Sequence, residues 1–152
     1  MSDYQLDENC IQWFNEKVNW QEAIALSAAP LIKKGAVTKK YTEAMVENIN
    51  QLGPYILIAP NVALPHARPE NGVKEAGVAL TVFQQDVEFP ADSSGEEKQA
   101  RVFICLAAVD SESHLNMLQT ISGWIDNEEL INSLLNSESQ KEIQQLLYSS
   151  KN

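Results

Sequence analysis

The sequence predicts an α/β fold, a three-layer sandwich in which a mixed central β-sheet of about five strands is flanked by helices on both faces. Residues 102–109 are almost uninterruptedly apolar, which is typical of a central strand covered on both faces. Segments with helical periodicity precede, separate and follow the predicted strands, and this order favours layers of helices around one sheet. The connection near Asp86 is too short for a helical crossover, so the sheet is expected to be mixed.

The first half of the chain is expected to hold one strand, two helices and two extended segments. Asn19 and Thr38 precede the two helical patterns and are the candidate N-caps. Gly35 and Gly53 follow the last apolar positions, where glycine commonly ends a helix. The predicted elements are a strand at residues 10–14, helices at 20–34 and 39–52, and extended segments at 55–59 and 62–65.

The second half of the chain is expected to place its strands before its helices. Asp126 and Ser137 are the candidate caps of the last two helices. Residues 90–99 are polar and are predicted as a surface loop. The predicted elements are strands at 77–83, 86–89 and 102–109, a helix beginning near residue 111, a helix ending at 135 and a helix at 138–148. The buried stripe of the third helix is expected to contain His114, Met117, Leu118, Ile121 and Ile125.

Length, composition and charge limit the classes of function. With 152 residues, 44% of them hydrophobic, the chain is expected to form one domain over residues 1–152. Its 21 acidic and 11 basic residues give a net charge of -10, which argues against nucleic acid, whose phosphates attract clustered Lys and Arg. The sequence has neither an apolar run of about 18 residues nor a signal-peptide pattern, so a cytoplasmic protein without direct membrane insertion is expected. Cys10 and Cys105 lack metal-ligand spacing and are interpreted as buried thiols.

The strongest candidate site is the segment around His66, with the sequence APNVALPHARPE (residues 59–70). It puts a histidine at the end of an apolar run, where an extended segment becomes a loop. Pro65 and Pro69 restrict the backbone on either side, and the small Ala67 leaves space beside the ring. A neutral imidazole is well populated near pH 7 and can act as a nucleophile. A lone histidine in a loop is, however, more often an ordinary surface residue.

His114 is the second candidate, in the predicted first turn of the helix after the central strand. Ligands gather at the carboxyl ends of strands in α/β folds, and first-turn N–H groups attract anions, so a phosphoryl group on His66 would be stabilised there if the two histidines meet. The alternatives are a buried core histidine and a metal site, for which the sequence offers no third ligand. Arg68 could pair with a phosphoryl group or with Glu70. Asp110 is predicted to cap the helix.

These two segments resemble signatures of a known family. APNVALPHA (residues 59–67) resembles the phosphorylation-site signature of the type 2 EIIA domains, of the mannitol/fructose type, of the bacterial phosphoenolpyruvate-dependent sugar phosphotransferase system (PTS). DSESHL (residues 110–115) is similar to the family's second-histidine segment, and the resemblance extends over about residues 5–150. Within the family, Gly53-Pro54-Tyr55 and HARPENGVK (residues 66–74) resemble the L-ascorbate branch.

The resemblance implies a phosphotransferase component that works as a relay without a cofactor or metal. HPr, phosphorylated on its own histidine, would deliver a phosphoryl group to the tele nitrogen of His66. That group would pass to a cysteine of EIIB, which supplies the membrane component EIIC for uptake and phosphorylation of the sugar, with L-ascorbate as the implied substrate. Carried onto this chain, His66 is the phosphoryl acceptor, His114 the accessory histidine that stabilises the phosphoryl group, and Arg68 the phosphate-binding residue.

The residues themselves leave several alternatives open. They do not decide which ring nitrogen of His66 reacts. Some relatives use the same histidine as a regulatory phosphorylation sensor that binds other proteins outside any sugar transporter. A relay that docks two partners in turn needs a shallow site with an apolar surround. The candidates for that surround, with core packing as their alternative, are Val62, Leu64, Phe83 and Val109.

Overall fold

Five strands form one mixed sheet in the computed structural model, which describes residues 6–91, 95 and 98–149. The strands are β1 (Ile11–Phe14), β2 (Leu57–Ala59), β3 (Asn61–Ala63), β4 (Gly77–Phe89) and β5 (Lys98–Ala107). Their order across the sheet is β1-β4-β5-β3-β2. The pairs β1–β4 and β3–β5 are parallel, whereas β4–β5 and β2–β3 are antiparallel. The predicted mixed sheet is therefore confirmed.

Helices cover both faces of this sheet, as predicted. Gln12 Nε2 donates to Leu26 O at 2.8 Å, and Trp13 Nε1 donates to Ser137 O at 3.1 Å. Adjacent residues of a strand point to opposite faces, so the helix that contains Leu26 and the helices that flank Ser137 lie on opposite sides. The helices are α1 (Trp20–Lys33), α2 (Lys39–Leu52), α3 (Ser111–Ile125), α4 (Glu128–Leu135) and α5 (Gln140–Ser149), with short 3-10 helices at Glu8–Cys10 and Pro69–Asn71.

The central strand β5 forms a rigid platform beneath the site. Residues 102–107 are all buried. The Phe103 ring meets the Phe83 ring edge-on, with centroids 5.1 Å apart, and stacks on the Phe89 ring at 5.9 Å. Such aromatic contacts stabilise a core beyond the area that they bury. The end of β5, from which the chain continues toward α3, is therefore held in the buried core.

The first two helices agree with the sequence prediction to within a residue. The Asn19 side chain accepts a hydrogen bond from Glu22 N at 2.8 Å and so caps α1. Thr38 occupies the N-cap position of α2, although its side chain makes no capping hydrogen bond. Gly35 and Gly53 follow the two helices with φ of 83° and 84°, a left-handed conformation that glycine adopts without strain.

Other predicted boundaries are wrong. The separate strands predicted at residues 77–83 and 86–89 are one strand, β4, whose register against β5 shifts between Val82 and Val87. The polar loop predicted at residues 90–99 ends earlier, because β5 begins at Lys98, and residues 92–94, 96 and 97 of that loop lie outside the described residues. Asn127, not Asp126, caps α4 by accepting from Leu130 N at 3.0 Å.

Ser139, not Ser137, caps α5. Its hydroxyl accepts a hydrogen bond from Glu142 N at 3.2 Å, whereas the Ser137 hydroxyl donates to Leu134 O at the end of α4.

Both cysteines are buried, as predicted. Burial raises the pKa of the Cys10 thiol, and it raises the pKa of Cys105 to about 12. Both side chains therefore act as small apolar core residues. Within the described residues, no helix is long and apolar enough to cross a membrane.

Candidate functional site

The topology brings the two sequence-predicted segments to one edge of the sheet. β3 and β5 run parallel, so their carboxyl ends lie side by side. His66 follows the end of β3, and α3 begins shortly after β5 ends. A hydrogen bond of 3.0 Å from Leu106 N to Pro65 O extends the pairing of the two strands up to His66. The histidine is therefore displayed where the paired strands separate.

A cleft of about 630 Å³ opens at this edge and contains both histidines. A cleft of this size is typical of a binding site. Its wall combines apolar residues with several convergent polar groups. The lining residues are Tyr41, Asn48, Leu52, Tyr55, His66, Ala67, Arg68, Pro69, Leu106, Ala108, Asp110, Ser111 and His114.

The local geometry distinguishes the two ring nitrogens of His66. Nδ1 lies 2.6 Å from Leu64 O. A carbonyl oxygen only accepts hydrogen bonds, so Nδ1 carries the proton in this arrangement and a neutral ring keeps its lone pair on Nε2. Within the described part of the chain, Nε2 has no hydrogen-bond partner. Among the described residues, the Nε2 lone pair of this half-buried ring is therefore not engaged in a hydrogen bond.

Two tyrosines hold the backbone on either side of this ring. The Tyr55 hydroxyl donates to His66 O, and the two rings meet edge-on with centroids 5.2 Å apart. The Tyr41 hydroxyl accepts from Ala67 N at 3.0 Å and donates to Leu106 O at 2.6 Å. Burial raises the pKa of both phenols, so both keep the proton that they donate.

His114 is placed differently from its prediction. It is exposed rather than part of the buried stripe, which in α3 is formed by Met117 and Ile121. Because α3 starts where β5 ends, its first turn lies at the sheet edge, and His114 lines the cleft from there.

Asp110 caps α3, as predicted. Its carboxylate accepts from Ser113 N at 2.8 Å, and the Ser113 hydroxyl in turn accepts from Asp110 N at 3.3 Å. This reciprocal capping box satisfies two backbone donors. The hydrogen bonds from Ser113 hold the pKa of the Asp110 carboxyl below its usual value of 3.8. A carboxylate therefore sits at the cleft wall at neutral pH, beside the N–H groups of the first turn.

Arg68 is the arginine that lines the cleft. The other arginine of the sequence, Arg101, donates to Phe83 O at 2.9 Å and to Leu135 O at 2.7 Å, and so is engaged in the fold. The Arg68 side chain is 84% exposed and lies 4.0 Å from the Glu70 carboxylate. An exposed pair at this distance contributes little to stability. The guanidinium is therefore available to an anion in the cleft.

The apolar surround differs from the one suggested by sequence. Val62, Leu64 and Phe83 are buried in the core, so their core interpretation is the correct one. Val109 is 43% exposed beside the cleft. Leu52, which sequence analysis did not single out, lines the cleft and is 73% exposed. Leu115, the residue after His114 on α3, is also exposed (59%). The exposed residues Leu52 and Val109 are called the apolar rim below.

Metal ligands are not clustered in this region. Among residues 6–91, 95 and 98–149, no group of three or more His, Cys, Asp or Glu side chains is arranged to hold a metal ion.

Fold and site together define a class of protein: an α/β domain that displays a histidine with one free ring nitrogen in an open cleft beside a helix N-terminus. Over residues 5–150 the chain matches the family model described as phosphoenolpyruvate-dependent sugar phosphotransferase system, EIIA 2. The chain therefore belongs to this family, whose members are phosphotransferase components that pass phosphate through a histidine.

Individual relatives agree over almost the full length. The mannitol-specific cryptic phosphotransferase enzyme IIA component of Escherichia coli (strain K12) is 35% identical over 147 residues, covering 97% of each chain. The ascorbate-specific PTS system EIIA component of the same strain is 30% identical over 148 residues, covering 97% of this chain and 94% of that one. A solved complex of enzyme IIAMTL and phosphorylated enzyme IIBMTL from Escherichia coli matches with a TM-score of 0.74 and 26% identity, over 97% of this chain and 99% of that one.

Proposed function

We propose that this protein is a cytoplasmic EIIA component in which Nε2 of His66 accepts a phosphoryl group from phosphorylated HPr and passes it to a cysteine of EIIB. The observation that carries the proposal is the 2.6 Å contact between His66 Nδ1 and Leu64 O. It supports protonation of Nδ1 and leaves the lone pair of Nε2 for attack. In the first transfer, the Nε2–phosphorus bond forms as the nitrogen–phosphorus bond of the donor histidine breaks.

The surroundings of His66 suit this chemistry. Phosphoryl transfer depends mainly on alignment and on stabilisation of charge on the equatorial oxygens. We assign this stabilisation to His114, to the first-turn N–H groups of α3 and to Arg68, because all three regions line the cleft with His66. A helix N-terminus favours negative charge, and a guanidinium can bind a phosphoryl group through two parallel hydrogen bonds.

The apolar rim is the proposed docking surface for the two protein partners. Large exposed apolar residues beside a polar site are typical of transient protein interfaces. The solved complex of a relative with its phosphorylated IIB supports EIIB as the acceptor. The membrane component EIIC would be reached only through EIIB.

L-ascorbate is the proposed substrate of the transport system. The support is the resemblance of Gly53-Pro54-Tyr55 and of residues 66–74 to the ascorbate branch. Mannitol-type and ascorbate-type relatives are similarly distant from this chain, at 35% and 30% identity. The choice between them therefore requires a direct experiment.

The test uses radiolabelled phosphorylated HPr as donor and purified EIIB proteins as acceptors. The wild-type chain should be labelled, His66→Gln should remain unlabelled, and His114→Gln should be labelled more slowly. Because Arg68 is exposed, Arg68→Gln should slow labelling by about tenfold, less than the about 100- to 1,000-fold effect of removing one preorganised charge-stabilising donor. Label retained in His66→Gln would overturn the assignment of the acceptor.

Onward transfer decides the substrate branch. Selective transfer from the labelled chain to an ascorbate-type EIIB would support ascorbate, and selective transfer to a mannitol-type EIIB would overturn it. Labelling without transfer to any sugar-specific EIIB would instead favour the regulatory phosphorylation sensor.

A further inference from the structure

The hydrogen bonding between the His66 segment and β5 contains an inserted hydroxyl. In a parallel pair, the N–H and C=O of one residue bond to the residues before and after its partner. Leu106 N donates to Pro65 O at 3.0 Å, so regular pairing would let Ala67 N donate directly to Leu106 O. Instead, Ala67 N donates to the Tyr41 hydroxyl at 3.0 Å, and this hydroxyl donates to Leu106 O at 2.6 Å. The Tyr41 hydroxyl oxygen thus lies between Ala67 N and Leu106 O, next to His66.

Along the chain, the carbonyl of His66 lies between the two groups that bond toward β5, Pro65 O and Ala67 N. It accepts a hydrogen bond from the hydroxyl of Tyr55. The Tyr55 ring lies edge-on against the imidazole at an interplanar angle of 76°. Tyr55 therefore restrains both the backbone and the ring of His66, from an element other than β5.

We propose that Tyr41 and Tyr55 are positioning residues for phosphoryl transfer, whose hydroxyls hold His66 away from β5 with Nδ1 bonded to Leu64 O and Nε2 free in the cleft. This inference rests on the proposed function of His66. Without the Tyr41 hydroxyl, Ala67 N can pair directly with Leu106 O, which draws His66 toward the sheet. Without the Tyr55 hydroxyl, the His66 carbonyl and ring lose a restraint. A displacement of about 1 Å can slow an aligned reaction by about 100-fold.

The first test measures single-turnover transfer of label from phosphorylated HPr to the wild type, Tyr41→Phe and Tyr55→Phe. Each variant removes one oxygen and keeps the ring. At saturating donor and well below the melting temperature, we expect each to react at least about tenfold more slowly, with KM for the donor within about twofold. The control, Ile143→Val, loses a buried methylene in α5, which packs against β1 at the other side of the sheet. It should react at the wild-type rate.

The second test measures the tautomer of the His66 imidazole by ¹⁵N NMR and requires no phosphoryl donor. The neutral His66 ring should be mainly the Nδ1–H tautomer in the wild type and in Ile143→Val, with the Nε2–H tautomer rising in both tyrosine variants. Wild-type rates and unchanged tautomers in both variants would overturn the inference. A wild-type chain that phosphorylated HPr does not label would instead overturn the proposed function, while the tautomers still test the positioning. If Tyr41→Phe does not fold, Tyr55→Phe decides.

Discussion

Leu52 at the end of α2 allows a quantitative test of the apolar rim. It is 73% exposed and lines the cleft. Complete burial of a leucine side chain contributes about 1.5–3 kcal/mol, so a partner that covers the exposed part gains about 1–2 kcal/mol. Leu52→Ser removes most of this gain. Because about 1.4 kcal/mol corresponds to a tenfold change in affinity, KM for phosphorylated HPr or for EIIB should rise about 5- to 30-fold.

The assay is steady-state phosphoryl transfer with the partner concentration varied, which separates KM from kcat. Loss of uniform binding raises KM and leaves kcat within about twofold. Ile58→Ser is a matched control, because Ile58 is also a large exposed apolar residue (45%) but lines a different depression, between β2 and the start of β5. A wild-type KM in Leu52→Ser, or an equal rise in Ile58→Ser, would refute the docking argument.

Three further predictions concern stability. Gly72→Ala places a Cβ 2.4 Å from the Thr38 hydroxyl at a φ of 111°, so it should destabilise the fold by about 1–3 kcal/mol. Gly123→Ala lies in open space within α3 and should stabilise the fold by about 0.5–1 kcal/mol. Urea unfolding measures the stability of both glycine variants. Equal effects of the two substitutions would contradict the steric and conformational argument. Because hydrogen bonds from Ser113 lower the pKa of folded Asp110, its stabilisation is present above the unfolded pKa and is lost as pH falls through the folded value. The difference in stability between wild type and Asp110→Ala should therefore shrink below about pH 4, as followed by circular dichroism; a difference independent of pH would disprove this role.

The elements before the site could be predicted from sequence because several local signals agree there. α1 combines a capping Asn19, apolar periodicity and a terminal Gly35, and these signals define its bounds to within a residue. Near α4 the local signals are ambiguous, since Asp126 and Asn127 are adjacent and both are good caps. Only the observed hydrogen bond to Leu130 N selects Asn127.

Sequence identified the segments that hold His66 and His114, but neither the exposure of His114 nor the residues that contact the His66 backbone. Periodicity predicts His114 on the buried stripe of α3, whereas the structure leaves its side chain exposed. A periodic pattern alone does not show that the first turn of α3 lies at the edge of the sheet. Exposed Leu52 has the same apolar character as a core residue, so sequence does not distinguish a docking surface from a core. Tyr41 and Tyr55 contact the His66 segment at sequence separations of 26 and 11 residues. No local signal encodes such contacts.

The edge strand β1 has a consequence for the order in which this chain folds. Ile11 pairs with Leu80, and Trp13 bonds to Ser137 at a sequence separation of 124 residues. The β4–β5 hairpin closes over a much shorter loop, with Phe89 opposite Lys98. Loop closure costs more entropy as the separation grows.

We therefore expect β4–β5 to form early and β1 to dock late, leaving β4 as an exposed edge that is prone to pair with other chains in the interval. Pulsed hydrogen exchange during refolding would show this order as protection of β5 amides before β1 amides, and simultaneous protection would contradict it. Strand β1, the first of the five strands along the described chain, is thus expected to be among the last to reach its native position.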